Sequence, residues 1–138
     1  MMANPVALVI EDEADIARLS AKALRGGGFE VEIVHTGDEA IKWLGTHTPN
    51  LIVLDLQLPG VPGTEVFAHI RAQPQLSETA IIIVTAYPHI AEDLANQADC
   101  VLFKPVKQAE LRSLAVRFGL ERIENMPPGA ESGEPEDE

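Results

Sequence analysis

Apolar residues in this chain gather into short unbroken runs, and four of the runs stop at a polar residue of a distinctive kind. Residues 6–10 lead into Glu11-Asp12-Glu13, 51–54 into Asp55, 80–84 into Thr85, and 101–103 into Lys104-Pro105. Runs this short and this rich in β-branched and aliphatic residues predict strands buried on both faces, as a parallel sheet requires. A further strand is predicted over 29–34. Between the runs the apolar positions recur at helical spacing. Ile16, Leu19, Ala23 and Leu24 fall on one face of a helix over 15–25, which Gly26-Gly27-Gly28 stops. A second helix over 37–44 carries Ala40, Ile41 and Leu44. A loop containing Pro59, Gly60, Pro62 and Gly63 precedes a third, with Val66, Phe67 and Ile70 inward and Pro74 as its close. Pro88 opens a short fourth through Ile90 and Leu94. The last, over 107–118, turns Leu111, Leu114, Ala115 and Phe118 inward.

Strand and helix thus alternate five times. Connections of this length imply right-handed crossovers and a single doubly wound α/β domain, with helices on both faces of a five-stranded parallel sheet. The flavodoxin-like strand order 2-1-3-4-5 fits, and its switch point lies between the first and third strands. Ligands of open parallel sheets bind beyond the carboxyl ends of the strands. The polar residues that end the apolar runs should therefore meet at one edge.

The chemistry of that set is a divalent cation plus a phosphoryl group. Mg²⁺ prefers oxygen ligands and is commonly held by one or two carboxylates. Asp12 and Asp55, with Glu11 or Glu13 behind them, supply such a set. A carboxylate is also a nucleophile that forms an aspartyl phosphate, and Asp55, ending a buried strand, is the best candidate. Thr85 and Lys104 would take phosphoryl oxygens. Singly these signals are weak, since acids after a strand commonly just favour a helix N-terminus. Together, at the same ends of four strands, they specify a site.

Composition narrows the class. The chain has 138 residues and 46% hydrophobic content, which suits one soluble domain. No apolar stretch nears the roughly 20 residues of a membrane span, and no secretory signal opens the chain. Cys100, the only cysteine, excludes an internal disulfide and suits the cytoplasm, where it reads as a structural thiol. A net charge of −12 argues against direct contact with nucleic acid. Residues 119–138 hold half of it, seven acids against one base, together with prolines and glycines. We expect the domain over 1–118 and an acidic, disordered tail over 119–138, with disorder from about 125 onward. His35, His47, His69 and His89 are scattered and read as loop or surface residues. Trp43 reads as a packing or surface residue.

The chain resembles the receiver domains of two-component response regulators over about 5–118. The motifs are the acidic pair Glu11-Asp12, Asp-x-x-Leu-Pro-Gly at 55–60, Thr85-Ala86, and Lys104-Pro105. The resemblance implies that Asp55 is the phosphoacceptor for a histidine kinase or phosphotransfer protein. It also implies Mg²⁺ on Glu11, Asp12, Asp55 and the Gln57 backbone carbonyl, with Thr85 and Lys104 on the phosphoryl oxygens. Pro105 would follow a cis bond, and Gln57 and Tyr87 would modulate rates. In the family the Thr moves toward the phosphoryl group and reshapes the surface of the fourth helix, fifth strand and fifth helix, which a partner reads.

Three positions depart from the family pattern. Glu11 replaces the more usual Asp. Val101 stands where an aromatic usually lies, three residues before the Lys. Thr85 and Lys104 are 19 positions apart, roughly one helical turn less than in most receivers, and the shortening is expected within 91–97.

The reading is therefore a free-standing receiver, a phosphoacceptor switch that assists its own phosphorylation and dephosphorylation, and not an enzyme. Its output would run through a protein partner, phosphotransfer or a homodimer, with no direct nucleic-acid or membrane contact. One rival is a receiver-fold binding module that works without phosphorylation. Another, an aspartyl-nucleophile phosphatase of haloacid dehalogenase type, needs a second Asp where this chain has Gln57.

Overall fold

The computed structural model describes residues 4–124. Five strands, β1 (Val6–Ile10), β2 (Glu30–Val34), β3 (Leu51–Asp55), β4 (Ala80–Thr85) and β5 (Cys100–Phe103), alternate with five helices. These are α1 (Ala14–Gly26), α2 (Gly37–Leu44), α3 (Gly63–Arg71), α4 (Pro88–Leu94) and α5 (Gln108–Glu124). All strands are parallel, in the order β2-β1-β3-β4-β5. This is the doubly wound sheet that the apolar runs predict.

Alternation of side chains divides the core into two layers. Ala7, Val9, Leu51, Val53, Ile82, Val84 and Leu102 pack against α1 and α5 on one face. Leu8, Ile10, Ile52, Leu54, Ile81 and Ile83 pack on the other, against Ala40 and Leu44 of α2 and Val66, Phe67 and Ile70 of α3. The central strands β1, β3 and β4 are covered from both sides, which is why they read as uninterrupted apolar runs.

The structure redraws several details. On α1 the inward residues are Ala17, Ala21, Ala23 and Leu24, while Ile16 and Leu19 are 38% and 52% exposed. Alanines at that face let the helix lie close to the sheet and to α5, and the larger residues are left at the side. Helix α3 ends at Arg71, so Pro74 opens a separate 3₁₀ turn (Pro74–Leu76). Helix α4 is the short helix expected, seven residues ending at Leu94. After Leu94, Gln97 N donates to the Leu94 carbonyl at 2.9 Å and Asp99 N to the Ile81 carbonyl at 2.9 Å. Helix α5 continues to Glu124, past the end of the inward pattern at Phe118. The disorder expected over 125–138 lies outside the described residues.

Candidate functional site

Each strand delivers its terminal residue to the same edge, and the ladder continues just past the strand ends. Glu11 N donates to the Val34 carbonyl at 3.1 Å, Leu56 N to that of Val84 at 3.0 Å, and Lys104 N to that of Thr85 at 3.0 Å. The loop after β1 is thereby tied to the end of β2, and those after β3 and β5 to the end of β4. The Lys104–Pro105 peptide is cis.

Asp55 lies at the centre and is 2% exposed. Its Oδ1 accepts from the backbone N–H of Gln57 at 2.9 Å, and its Oδ2 from Lys104 Nζ at 2.9 Å. Carboxylate oxygens of Glu11, Asp12 and Asp55 lie within 4.8 Å of one another. Asp12 is exposed, whereas Glu11 is buried, with Oε2 accepting from Glu13 N at 3.2 Å. Burial, together with the charge and hydrogen bonding of Asp55, pushes the Glu11 carboxyl up to about 7, against the pull of the Glu13 N–H and Lys104.

Crowded acids at one solvent-facing edge suit a hard divalent cation. The donor set is oxygen alone, and a cation would relieve the repulsion that raises Glu11. The residues present therefore fit Mg²⁺. A cleft of about 440 Å³ between α1 and the start of α5 reaches Glu11, Asp55 and Lys104. Val9, Val53, Val84 and Leu111 form apolar walls, and Ile16 and Leu19 flank it.

Thr85 is fully buried. Its Oγ1 accepts from Tyr87 N at 3.0 Å and from Gln57 Nε2 at 3.0 Å, while Gln57 Oε1 accepts from Ala86 N at 3.2 Å. The Gln57 side chain is thus spent on Thr85 and its neighbour. The Tyr87 side chain is 49% exposed, and its ring lies tilted toward His89 with centroids 6.0 Å apart.

Two residues carry more than their sequence signal. The Nδ1 of His35, just after β2, donates to the Glu11 carbonyl at 2.8 Å and so braces the acidic loop. The carbonyl can only accept, which fixes the proton on Nδ1. Nothing in the spacing of the histidines marks this contact. The Gln57–Thr85 bond is equally silent in sequence, since the two residues are 28 positions apart. Trp43 stacks on His47, with ring centroids 4.2 Å apart, away from the site residues. Cys100 is half-buried and burial raises its thiol pKa, in keeping with a structural role. Val101 packs, partly buried, against the layer formed with α2 and α3.

Known proteins agree with this geometry. Residues 7–116 match the model of the response regulator receiver domain. The chain is 37% identical over 110 residues to the phosphate regulon transcriptional regulatory protein PhoB of Rhizobium meliloti, covering 78% of this chain and 48% of that protein. It is 32% identical over 120 residues to the DNA-binding response regulator MtrA of Mycobacterium tuberculosis H37Rv, covering 87% and 52%. The chain therefore spans about half the length of these relatives. Among solved structures it is similar to the signal receiver domain of a signal transduction histidine kinase from Syntrophus aciditrophicus. There the TM-score is 0.78 at 26% identity, over 90% of this chain and 96% of that one. It is also similar to the chemotaxis response regulator CheY4 of Vibrio cholerae, with TM-score 0.76 at 25% identity over 84% and 99%. With the family model covering nearly all of the sheet and its helices, the chain belongs to the response regulator receiver family of two-component systems.

Proposed function

We propose that the chain is a phosphorylation-dependent switch in which Asp55 accepts a phosphoryl group from a histidine kinase or a phosphotransfer protein. One observation carries the reading. Asp55 is a nearly inaccessible carboxylate with one oxygen fixed by a backbone N–H and the other held by a movable ammonium. Oδ1 stays with Gln57 N, so Oδ2 is the oxygen left to attack. Attack on a donor phosphohistidine forms the P–O bond and breaks the P–N bond. The donor imidazole keeps the electron pair and takes up a proton. Lys104, whose side chain is 29% exposed, then moves from Oδ2 to a phosphoryl oxygen, and Thr85 takes another.

Glu11, Asp12, Asp55 and the backbone carbonyl of Gln57 would hold Mg²⁺. When bound, the ion supplies positive charge that offsets repulsion between the carboxylate and an anionic donor. Gln57 and Tyr87 flank the site and set how fast water reaches the phosphoryl group. The product stays on Asp55, so the chain is a switch and not a catalyst of turnover. Its Gln57 amide has no acidic proton to give, which counts against an aspartyl phosphatase. Output runs through a protein interaction of the phosphorylated form, a homodimer included. A cytoplasmic location goes with this reading. Among the described residues no helix is long and apolar enough to cross a membrane.

The test is intact mass after incubation with acetyl phosphate, with and without Mg²⁺, beside Asp55→Asn. A Mg²⁺-dependent gain of one phosphoryl group that the variant lacks supports the reading. If neither acetyl phosphate nor beryllofluoride engages Asp55, the reading falls, and a binding module that works without phosphorylation replaces it.

A further inference from the structure

Gln57 touches both sides of the site. Its backbone N–H holds Asp55 Oδ1 at 2.9 Å, and its side chain reaches across to Thr85 Oγ1 at 3.0 Å. The amide cannot be reversed without loss, because Ala86 N donates to its oxygen at 3.2 Å and a backbone N–H can only donate. The nitrogen therefore faces Thr85.

A hydroxyl has two lone pairs and one proton. Both lone pairs of Thr85 Oγ1 are taken, one by Gln57 Nε2 and one by Tyr87 N at 3.0 Å. The proton remains. Among the described residues it has no acceptor, although Thr85 is 0% exposed. A buried donor without a partner is costly and calls for an explanation in use.

We propose that Gln57 is a positioning residue that fixes the polarity of Thr85. With both lone pairs occupied, the hydroxyl can present only its proton, and its partner is an oxyanion arriving on Asp55. This inference rests on the phosphoacceptor reading and adds a role for Gln57 that acts through Thr85 rather than on water. Glu at position 57 would invert the arrangement. A carboxylate still accepts from Ala86 N but has no N–H for Thr85, so the Thr85 proton turns toward position 57 and is withdrawn from the phosphoryl oxygen.

The experiment is a ¹⁹F NMR titration with beryllofluoride in saturating Mg²⁺, with thermal unfolding as a check on folding. The proteins are the wild type, Gln57→Met, Gln57→Glu, Thr85→Val, and the two doubles that add Thr85→Val to each Gln57 variant. Losing one oriented hydrogen bond should weaken beryllofluoride about fivefold in Gln57→Met. Gln57→Glu should weaken it further. Combined with Thr85→Val, Gln57→Met should have no further effect, and Gln57→Glu should keep only the part due to its added charge. Equal losses with and without Thr85→Val would overturn the proposal, as would no loss in either single variant. Absence of binding by the wild type would instead overturn the phosphoacceptor reading beneath it. If Gln57→Glu fails to fold, the Gln57→Met cycle alone decides.

Discussion

Lys104 Nζ donates to Asp55 Oδ2 at 2.9 Å, joining the end of β5 to the end of β3 across 49 positions of sequence. The two partners are unequal. Asp55 is almost wholly buried and shares its surroundings with Glu11, whereas the Lys104 side chain is 29% exposed and keeps access to water. Removing the cation strands a buried anion; removing the anion relieves crowding among acids. Lys104→Met should therefore cost about 2–3 kcal/mol of stability. Asp55→Asn keeps an oxygen for Gln57 N and should change stability by less than about 0.5 kcal/mol, or raise it. Urea unfolding in EDTA measures both. Equal losses would mean that the pair, and not the repulsion among acids, dominates the edge.

Glu11 sets a pH dependence for the metal-free protein. Its carboxyl is pushed from 4.5 up to about 7, first by burial and then by Asp55. Between these values the folded chain holds a proton that the unfolded chain has released, so stability falls as pH rises. The contribution is fully present below about 4.5 and lost as pH passes about 7. Unfolding midpoints of the wild type and Glu11→Gln, taken in EDTA from acid to mildly alkaline pH, isolate it. The difference between them should grow in favour of the variant across that window and level off above it. A constant difference would show that Glu11 ionises normally.

The same physics explains how much of the molecule its sequence made legible. A central parallel strand is apolar on both faces, so 51–54 and 80–84 could hardly be read otherwise, and the residues that end such strands lie at the ligand edge by topology. Asp55 and Thr85 are legible for that reason, while Lys104 follows the edge strand β5. On helix α1 the expected face holds for Ala23 and Leu24 but not for Ile16 and Leu19, which outweigh Ala17 and Ala21 on any hydrophobicity scale, while close packing against α5 favours the smaller side chains. The inward pattern of α5 stops at Phe118, but backbone hydrogen bonding carries the helix onward. His35 and Gln57 act through hydrogen bonds between segments far apart in sequence, which leave no local periodicity.

Arg71, at the end of α3, straps the short connection into β5. Its Nε donates to the Gln97 carbonyl at 2.9 Å, Nη1 to the Thr79 carbonyl at 3.4 Å, and Nη2 to Asp99 Oδ2 at 3.4 Å. Its guanidinium also lies over the Phe67 ring, 5.7 Å from the centroid. Asp99 Oδ2 in turn accepts from Ile81 N at 2.7 Å. An ammonium cannot reach three acceptors in this fan, so Arg71→Lys should rescue little. Arg71→Ala should cost about 1–2 kcal/mol in denaturant unfolding and speed amide exchange at Gln97 and Asp99. The exposed Arg18–Asp15 pair is the contrast, and Arg18→Ala should change stability by less than about 0.5 kcal/mol. Equal effects would reduce the strap to a surface contact.

Gly63, the first residue of α3, packs against the backbone of Asp55 and Leu56. A Cβ there would stand 2.5 Å from the Leu56 Cα and 2.7 Å from the Asp55 carbonyl oxygen. These are backbone atoms, so no rotamer change makes room and the Asp55–Leu56 peptide itself must shift. Gly63→Ala should cost about 1–3 kcal/mol. It should also slow acetyl phosphate labelling of Asp55, since a small displacement of a nucleophile is expensive in rate. Gly28→Ala separates the two effects. Gly28 has φ of +102° but open space around its missing Cβ, so alanine strains the backbone far from Asp55. It should lower stability and leave labelling per folded molecule unchanged. Labelling slowed equally in both variants would mean that Gly63 serves the fold alone, and that Asp55 is placed by the strand ladder and Lys104 without help from α3.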